Sequence, residues 1–128
     1  CKTFAEDINS DSWEYDGALL TFNSDQPQFS YIEFNKGRIV GTVEKKVVSN
    51  HAICGAYIVR NAKMFRDMAE EYLKNCNYSE FFVSGIYNVM CNKGLTVRNY
   101  TVDFHVPFGT PTEYEAAQGS KYFKILER

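Results

Sequence analysis

Phe29-Ser30-Tyr31-Ile32-Glu33-Phe34-Asn35-Lys36-Gly37-Arg38-Ile39-Val40-Gly41-Thr42-Val43-Glu44-Lys45-Lys46 is the stretch on which the fold turns. Its aromatic and β-branched runs predict two antiparallel strands, over 29–34 and 38–43, joined at Asn35-Lys36-Gly37. Asn and Gly there supply the positive φ that a tight hairpin needs. The ribbon closes on Glu44-Lys45, an acid and a base at the mouth of a strand, followed by a strand carrying Gly55-Ala56-Tyr57. A carboxylate accepts hydrogen bonds from hydroxyls and an ammonium meets phosphate as a compact point charge, so the pair suits a polyol phosphate. Such pairs also stand on ordinary solvated strand ends, so this one takes its meaning from its surroundings.

Outward from the ribbon, Ala18-Leu19-Leu20-Thr21-Phe22 is a short apolar run of the buried-strand kind, and 53–59 reads the same way. Asn61 is placed to cap a helix whose apolar positions Met64, Phe65, Met68, Ala69, Tyr72 and Leu73 recur every three to four residues. Ser79-Glu80 introduces a second helix, with Phe82, Val83, Ile86, Val89 and Met90 inward, and Asn92-Lys93-Gly94 ends it. A strand is expected over 95–102. Thr110-Pro111-Thr112-Glu113 is a capping box with proline at the first helical position. Residues 1–16 read as a short helix and a loop, and 121–128 as a helix. Strands interleaved with helices predict an α/β domain: a mixed sheet with helices packed against it.

The chain has 128 residues, 45% of them hydrophobic, with ten Phe, nine Tyr and one Trp, enough for one domain with a real core. A net charge of −2 gives no basic footprint for nucleic acid or anionic lipid, so an anionic ligand must be held by a few local cations. The longest apolar run is far short of a membrane span. Cys1, Cys54, Cys76 and Cys91 contain no C-x-x-C, and His51 and His105 do not stand at zinc-finger spacing. Two disulfides are arithmetically open. The apolar setting of Cys54, and of Cys76 and Cys91 near helix ends, points instead to buried free thiols and a cytoplasmic, reducing compartment.

His105 lies just before Pro107-Phe108-Gly109-Thr110, on a strand-to-helix loop where α/β folds place their chemistry. The helix starting at Pro111 is expected to offer N–H groups to an anion. Asp103 is a candidate metal ligand or a hydrogen-bonding cap, and His51 reads as a polar surface residue ahead of its strand. Ser84 precedes Gly85, but no G-x-S-x-G elbow surrounds it, which argues against nucleophilic hydrolysis. No glycine loop for phosphate, G-x-x-x-x-G-K-[ST] or G-x-G-x-x-G, is present.

Taken in order, 16–22, 29–33, Val43-Glu44-Lys45-Lys46, 51–57, Ser79-Glu80-Phe81-Phe82-Val83-Ser84 and Phe108-Gly109-Thr110-Pro111 resemble the C-terminal half of the sugar-phosphate nucleotidyltransferases, over residues 14–118. These include the glucose-1-phosphate thymidylyltransferase-like and capsule-type enzymes of capsule and lipopolysaccharide synthesis. The resemblance implies the C-terminal half of a glycosyltransferase-A-like, Rossmann-like fold. It also implies transfer of a nucleotidyl group from an NTP to a sugar 1-phosphate or related phosphorylated metabolite, releasing pyrophosphate with Mg²⁺. Carried over by position, Glu44 binds sugar hydroxyls and Lys45 the acceptor phosphate. Gly55 and Tyr57 line the sugar pocket, Ser30 stands where a pocket glycine is frequent, and Glu80 and Ser84 face substrate. The family's metal-binding aspartate falls at Pro107, so the resemblance implies that Mg²⁺ is held mainly by the upstream half, alone or with Asp103 or His105 substituting here, and Lys46 replaces the usual proline. The resemblance further implies that the single domain 1–128 is the acceptor-binding part. The nucleotide-binding part would be absent, the fragment inactive alone, and its open sheet edges would favour self-association. The alternatives are a stand-alone carbohydrate- or phosphate-binding module and a noncatalytic assembly domain.

Overall fold

The computed structural model describes residues 1–10 and 13–122. Most of the helix expected over 121–128 lies outside them. In chain order the elements are α1 (Lys2–Ile8), β1 (Gly17–Asn23), β2 (Ser30–Asn35), β3 (Arg38–Glu44), β4 (His51–Val59), α2 (Ala62–Asn75), α3 (Val83–Asn92), β5 (Val97–Thr101) and α4 (Pro111–Gln118). Among the described residues the strands form one five-stranded sheet, ordered β3-β2-β4-β1-β5. Only β1 and β5 run parallel, with Leu19 beside Asn99, while the other pairs are antiparallel. The predicted mixed α/β sheet flanked by helices is therefore the observed architecture.

The β2–β3 hairpin forms where expected, but its positive φ values fall on Lys36 (48°) and Gly37 (77°), while Asn35 closes β2 in register with Arg38. Positive φ at both central residues gives the type I′ geometry that matches strand twist. β4 begins at His51, two residues ahead of expectation, because this histidine has an inward task. Its Nδ1 meets Asn99 Nδ2 at 3.0 Å, and Thr21 Oγ1 donates to Asn99 Oδ1 at 2.6 Å. It is thus part of a side-chain chain across β4, β5 and β1, not a surface residue.

α2 is capped as the sequence dictates, with Asn61 Oδ1 accepting from Lys63 N (2.8 Å) and Met64 N (3.0 Å). α3 starts at Val83, three residues later than expected, and its N-cap Phe82 makes no side-chain cap hydrogen bond. The delay rotates the inward face onto Ser84, Gly85, Ile86, Tyr87 and Met90, and leaves Val83 on the surface. The helix ends in a Schellman motif: Leu95 N–H reaches Met90 O and Gly94 N–H reaches Cys91 O, both at 3.0 Å, with Gly94 at φ 78°.

α3 lies over β3 and α2 over α3. Between α3 and the sheet sits the core of Leu19, Ile32, Ile53, Tyr87 and Met90, with Tyr57, Met64, Met68 and Leu95 at its margin. Strand alternation turns Tyr31, Ala52 and Tyr100 to the opposite face, where Tyr100 meets Phe4 edge-on and donates to Asp7 Oδ2 at 2.7 Å. All four cysteines are free thiols; Cys54, Cys76 and Cys91 are only half-buried and Cys1 is exposed. Among the described residues no helix is long and apolar enough to cross a membrane.

Candidate functional site

Ser30 and Glu44 face each other across β2 and β3, so their side chains stand on the same side of the sheet. Ser30 Oγ donates to Glu44 Oε2 at 2.6 Å. The other oxygen, Oε1, accepts from Ser84 Oγ, which is fully buried in the first turn of α3. Each carboxylate oxygen is thus held by one serine hydroxyl. Tyr57 closes the group from β4. Burial first, and then the charge of Glu44, push its phenol up to about 12, while a hydrogen bond with Ser84 pulls the other way. A phenolate so placed would lose water and face a carboxylate, so the ring stays protonated.

Regular alternation would turn Lys45 away from Glu44. Instead Lys45 sits at φ 52°, a left-handed conformation that lysine adopts seldom, held by its N–H on Phe29 O at 3.1 Å. Its Nζ lies 3.3 Å from Glu80 Oε1 and 5.5 Å over the Phe82 ring. Glu80 and Phe82 lead into α3 and Ser84 stands in its first turn, so Glu44 and Lys45, consecutive and of opposite charge, converge on one segment. The Lys45 and Glu80 side chains are 61% and 60% exposed, which leaves the ammonium free to exchange its partner for an anion.

Gly55 sits inside β4, at φ 86°. Leu19 pairs with Tyr57 and Thr21 with Ile53, so Cys54, Gly55 and Ala56 bulge out opposite Leu20 alone. Beyond the bulge lies a hollow of about 460 Å³ lined by Phe29, Gly55, His105, Pro107 and Glu113, among others. Phe29 lines this hollow with its side chain, and its carbonyl holds the Lys45 N–H. The His105 ring stacks on Phe22 at 4.2 Å and meets Phe29 edge-on at 6.5 Å. Burial lowers its pKa, with the Glu113 charge opposing.

The anion site expected at the start of α4 is already taken. Glu113 Oε2 accepts from Gly109 N and Thr110 N, each at 3.1 Å, and Thr110 Oγ1 accepts from Glu113 N at 3.3 Å. The capping box that starts this helix also occupies its donors. Asp103 stands apart from the hollow, 85% exposed and 3.8 Å from the amino group of Cys1. Among the described residues no three His, Cys, Asp or Glu side chains gather as metal ligands. Mg²⁺ asks for near-octahedral oxygen donors, and an exposed carboxylate with a stacked imidazole does not supply them. Among the described residues, Asp103 and His105 do not together make a site for that ion.

Of the residues singled out from sequence, the structure joins Ser30, Glu44, Tyr57 and Ser84 in one group and Lys45 with Glu80 beside it. Gly55 and His105 share a separate hollow. Sequence reading gave Tyr72 only a place on the apolar face of its helix, and Thr42 and Asn88 no role. Tyr72 Oη accepts Phe82 N–H at 3.1 Å, shaping the turn that aims Phe82 and Glu80. The one local signal for Asn88 was a polar residue four positions after Ser84, on the same helix face.

No protein-family model matches this sequence, and no curated protein matches it. Solved structures match it in fold. A nucleoside-diphosphate-sugar pyrophosphorylase from Vibrio cholerae RC9 superposes with a TM-score of 0.75 over 83% of this chain, at 22% identity. A Bacillus anthracis protein assigned as a glucose-1-phosphate thymidylyltransferase, solved with sucrose, superposes with a TM-score of 0.62 over 91% of this chain, at 20% identity. This chain spans 47% and 45% of those two structures. The likeness is one of fold, to about half of each molecule.

Proposed function

We propose that this chain is the acceptor-binding part of a sugar-phosphate nucleotidyltransferase. The observation that carries the reading is the convergence of Glu44 and Lys45 on the approach to α3. The serine-held carboxylate accepts hydrogen bonds from ring hydroxyls of a sugar 1-phosphate, and the exposed Lys45 ammonium exchanges Glu80 for the phosphate. Tyr57, protonated, supplies an apolar ring and a neutral hydroxyl to the same wall. The fold likeness to two sugar-nucleotide enzymes supports this assignment over a noncatalytic module.

In the reaction proposed, an acceptor phosphate oxygen attacks the α-phosphorus of an NTP in line. One P–O bond forms as the bond to pyrophosphate breaks, and no protein nucleophile is needed. This chain's residues contribute orientation of the acceptor and neutralisation of its charge. The nucleotide-binding residues are supplied from outside this chain, the compartment is cytoplasmic, and the NTP base is set there and not here. Calorimetric titration of the 128-residue chain with glucose 1-phosphate tests the reading. Binding by wild type that is lost in Lys45→Ala is the expected result; equal, negligible heats in both overturn it.

A further inference from the structure

α3 and β3 are locked together by four residues whose spacings match. On the helix, Ser84 and Asn88 are one turn apart, a rise of about 6 Å; on the strand, Thr42 and Glu44 are two residues apart, about 6.6 Å. Asn88 Oδ1 accepts Thr42 N–H at 2.6 Å and Asn88 Nδ2 donates to Thr42 O at 3.1 Å. Thr42 Oγ1 donates to Ser84 O at 2.9 Å, and Ser84 Oγ donates to Glu44. The two elements run antiparallel, with Thr42 held between the Ser84 and Asn88 rungs and Glu44 held by Ser84.

Among the described residues β3 is an edge of the sheet. Lys45 N–H bonds Phe29 O, so by antiparallel alternation Thr42 turns both its N–H and its C=O outward, away from β2. The Asn88 amide meets both groups, as the peptide of a neighbouring strand would. Gly41 makes the approach possible: a Cβ there would overlap Asn88 Oδ1, at a distance no pair of atoms sustains. A polar side chain, an edge strand and a glycine are therefore fitted to one another next to the candidate site.

We infer that Asn88 is a positioning residue for the Glu44 site: by closing the β3 edge at Thr42 it fixes Ser84 against the Glu44 carboxylate. The inference rests on the proposed sugar-phosphate reading for its functional consequence, but not for its geometry. Asn88 bonds Thr42 and not the Glu44 carboxylate. Its effect on binding passes through Ser84, which sets the direction of the Glu44 oxygens.

Two readouts keep the two readings apart. The first needs no ligand: the ¹³C shift of the Glu44 side-chain carboxyl in wild type, Ser84→Ala and Asn88→Ala. Asn88→Ala is expected to move it toward the Ser84→Ala value; a shift unchanged from wild type in folded Asn88→Ala overturns the inference whatever binds. The second is affinity for glucose 1-phosphate, measured well below the melting temperature of each variant. Asn88→Ala and Gly41→Ala are each expected to lose about tenfold, the worth of one hydrogen bond to a charged group. Because Asn88→Ala removes the atom that a Gly41 Cβ would strike, Gly41→Ala should add little in that background. Asn61→Ala, which removes the N-cap of α2 and bonds neither β3 nor α3, serves as the purely structural comparison. Affinity in Asn88→Ala no lower than in Asn61→Ala overturns the positioning role. Absent binding in wild type overturns the sugar-phosphate reading instead, with the carboxyl shift still deciding for Asn88.

Discussion

The Tyr72 ring lies directly on Gly85, so that a Cβ on Gly85 would overlap ring carbons Cε2 and Cζ and stand 2.7 Å from Oη. This contact seats α2 on the first turn of α3. It also holds the Tyr72 hydroxyl where it accepts Phe82 N–H, at the turn that presents Glu80 and Phe82 to Lys45.

Gly85→Ala should therefore destabilise the protein although alanine is the better helix former. Overpacking against a buried ring costs about 1–3 kcal/mol, against roughly 1 kcal/mol of gained helix propensity. A net loss of about 1 kcal/mol in urea denaturation is expected, with partial recovery in Gly85→Ala/Tyr72→Leu. Unchanged stability in Gly85→Ala would show that the ring moves freely.

Lys45→Ala should separate binding from stability. The ion pair with Glu80 is more than half exposed, and such pairs are worth about 0–1 kcal/mol. The melting temperature is expected to stay within a few degrees of wild type, while affinity for glucose 1-phosphate falls at least about tenfold and loses most of its salt dependence. Parallel loss of stability and affinity would mean that Lys45 is structural.

Tyr57 sets an alkaline limit. Its folded pKa of about 12 lies above the ordinary 10.0, so the folded state keeps a proton that the unfolded state gives up. The contribution is fully present below pH 10 and is lost as pH rises through the folded value. Stability measured by denaturant titration should fall between pH 10 and 12, and fall less in Tyr57→Phe. Glu44→Gln removes one of the causes and should bring the Tyr57 titration, followed by ultraviolet difference absorbance, to lower pH.

His105 sets an acid limit of opposite sign. Burial against Phe22 lowers its pKa from 6.5, so the unfolded chain takes up the proton first on acidification. Its contribution is present above pH 6.5 and is lost as pH falls through the folded value. The His105 Cε1–H resonance should titrate with a midpoint below 6.5 and move upward in Phe22→Ala, where the ring that excludes water is gone. A midpoint at or above 6.5 in wild type would show an open, solvated imidazole.

Much of this architecture is written locally. The hairpin, the Asn61 cap, the Gly94 stop and the Thr110–Glu113 box each depend on residues within a few positions, and each forms. The displaced details have tertiary causes. α3 begins at Val83 and not near Ser79-Glu80 because Tyr72, ten residues earlier in the chain, takes the Phe82 N–H and seats on Gly85. His51 joins β4 because Asn99, 48 residues away, bonds its ring.

Glu44 and Lys45 were legible as a pair because charge and strand position are properties of the sequence. Their common direction was not, because alternation sends neighbours to opposite faces and only the left-handed backbone at Lys45 overrides it. Ser84 reaches Glu44 across forty residues of chain, and Asn88 reaches Thr42 across 46. Periodicity reports which side of an element is buried; it carries no information about which rung of a helix meets which rung of a strand. The amino-acid order settled the elements and their caps, while the docking of α3 onto β3, where helix and strand spacings coincide, settled the site.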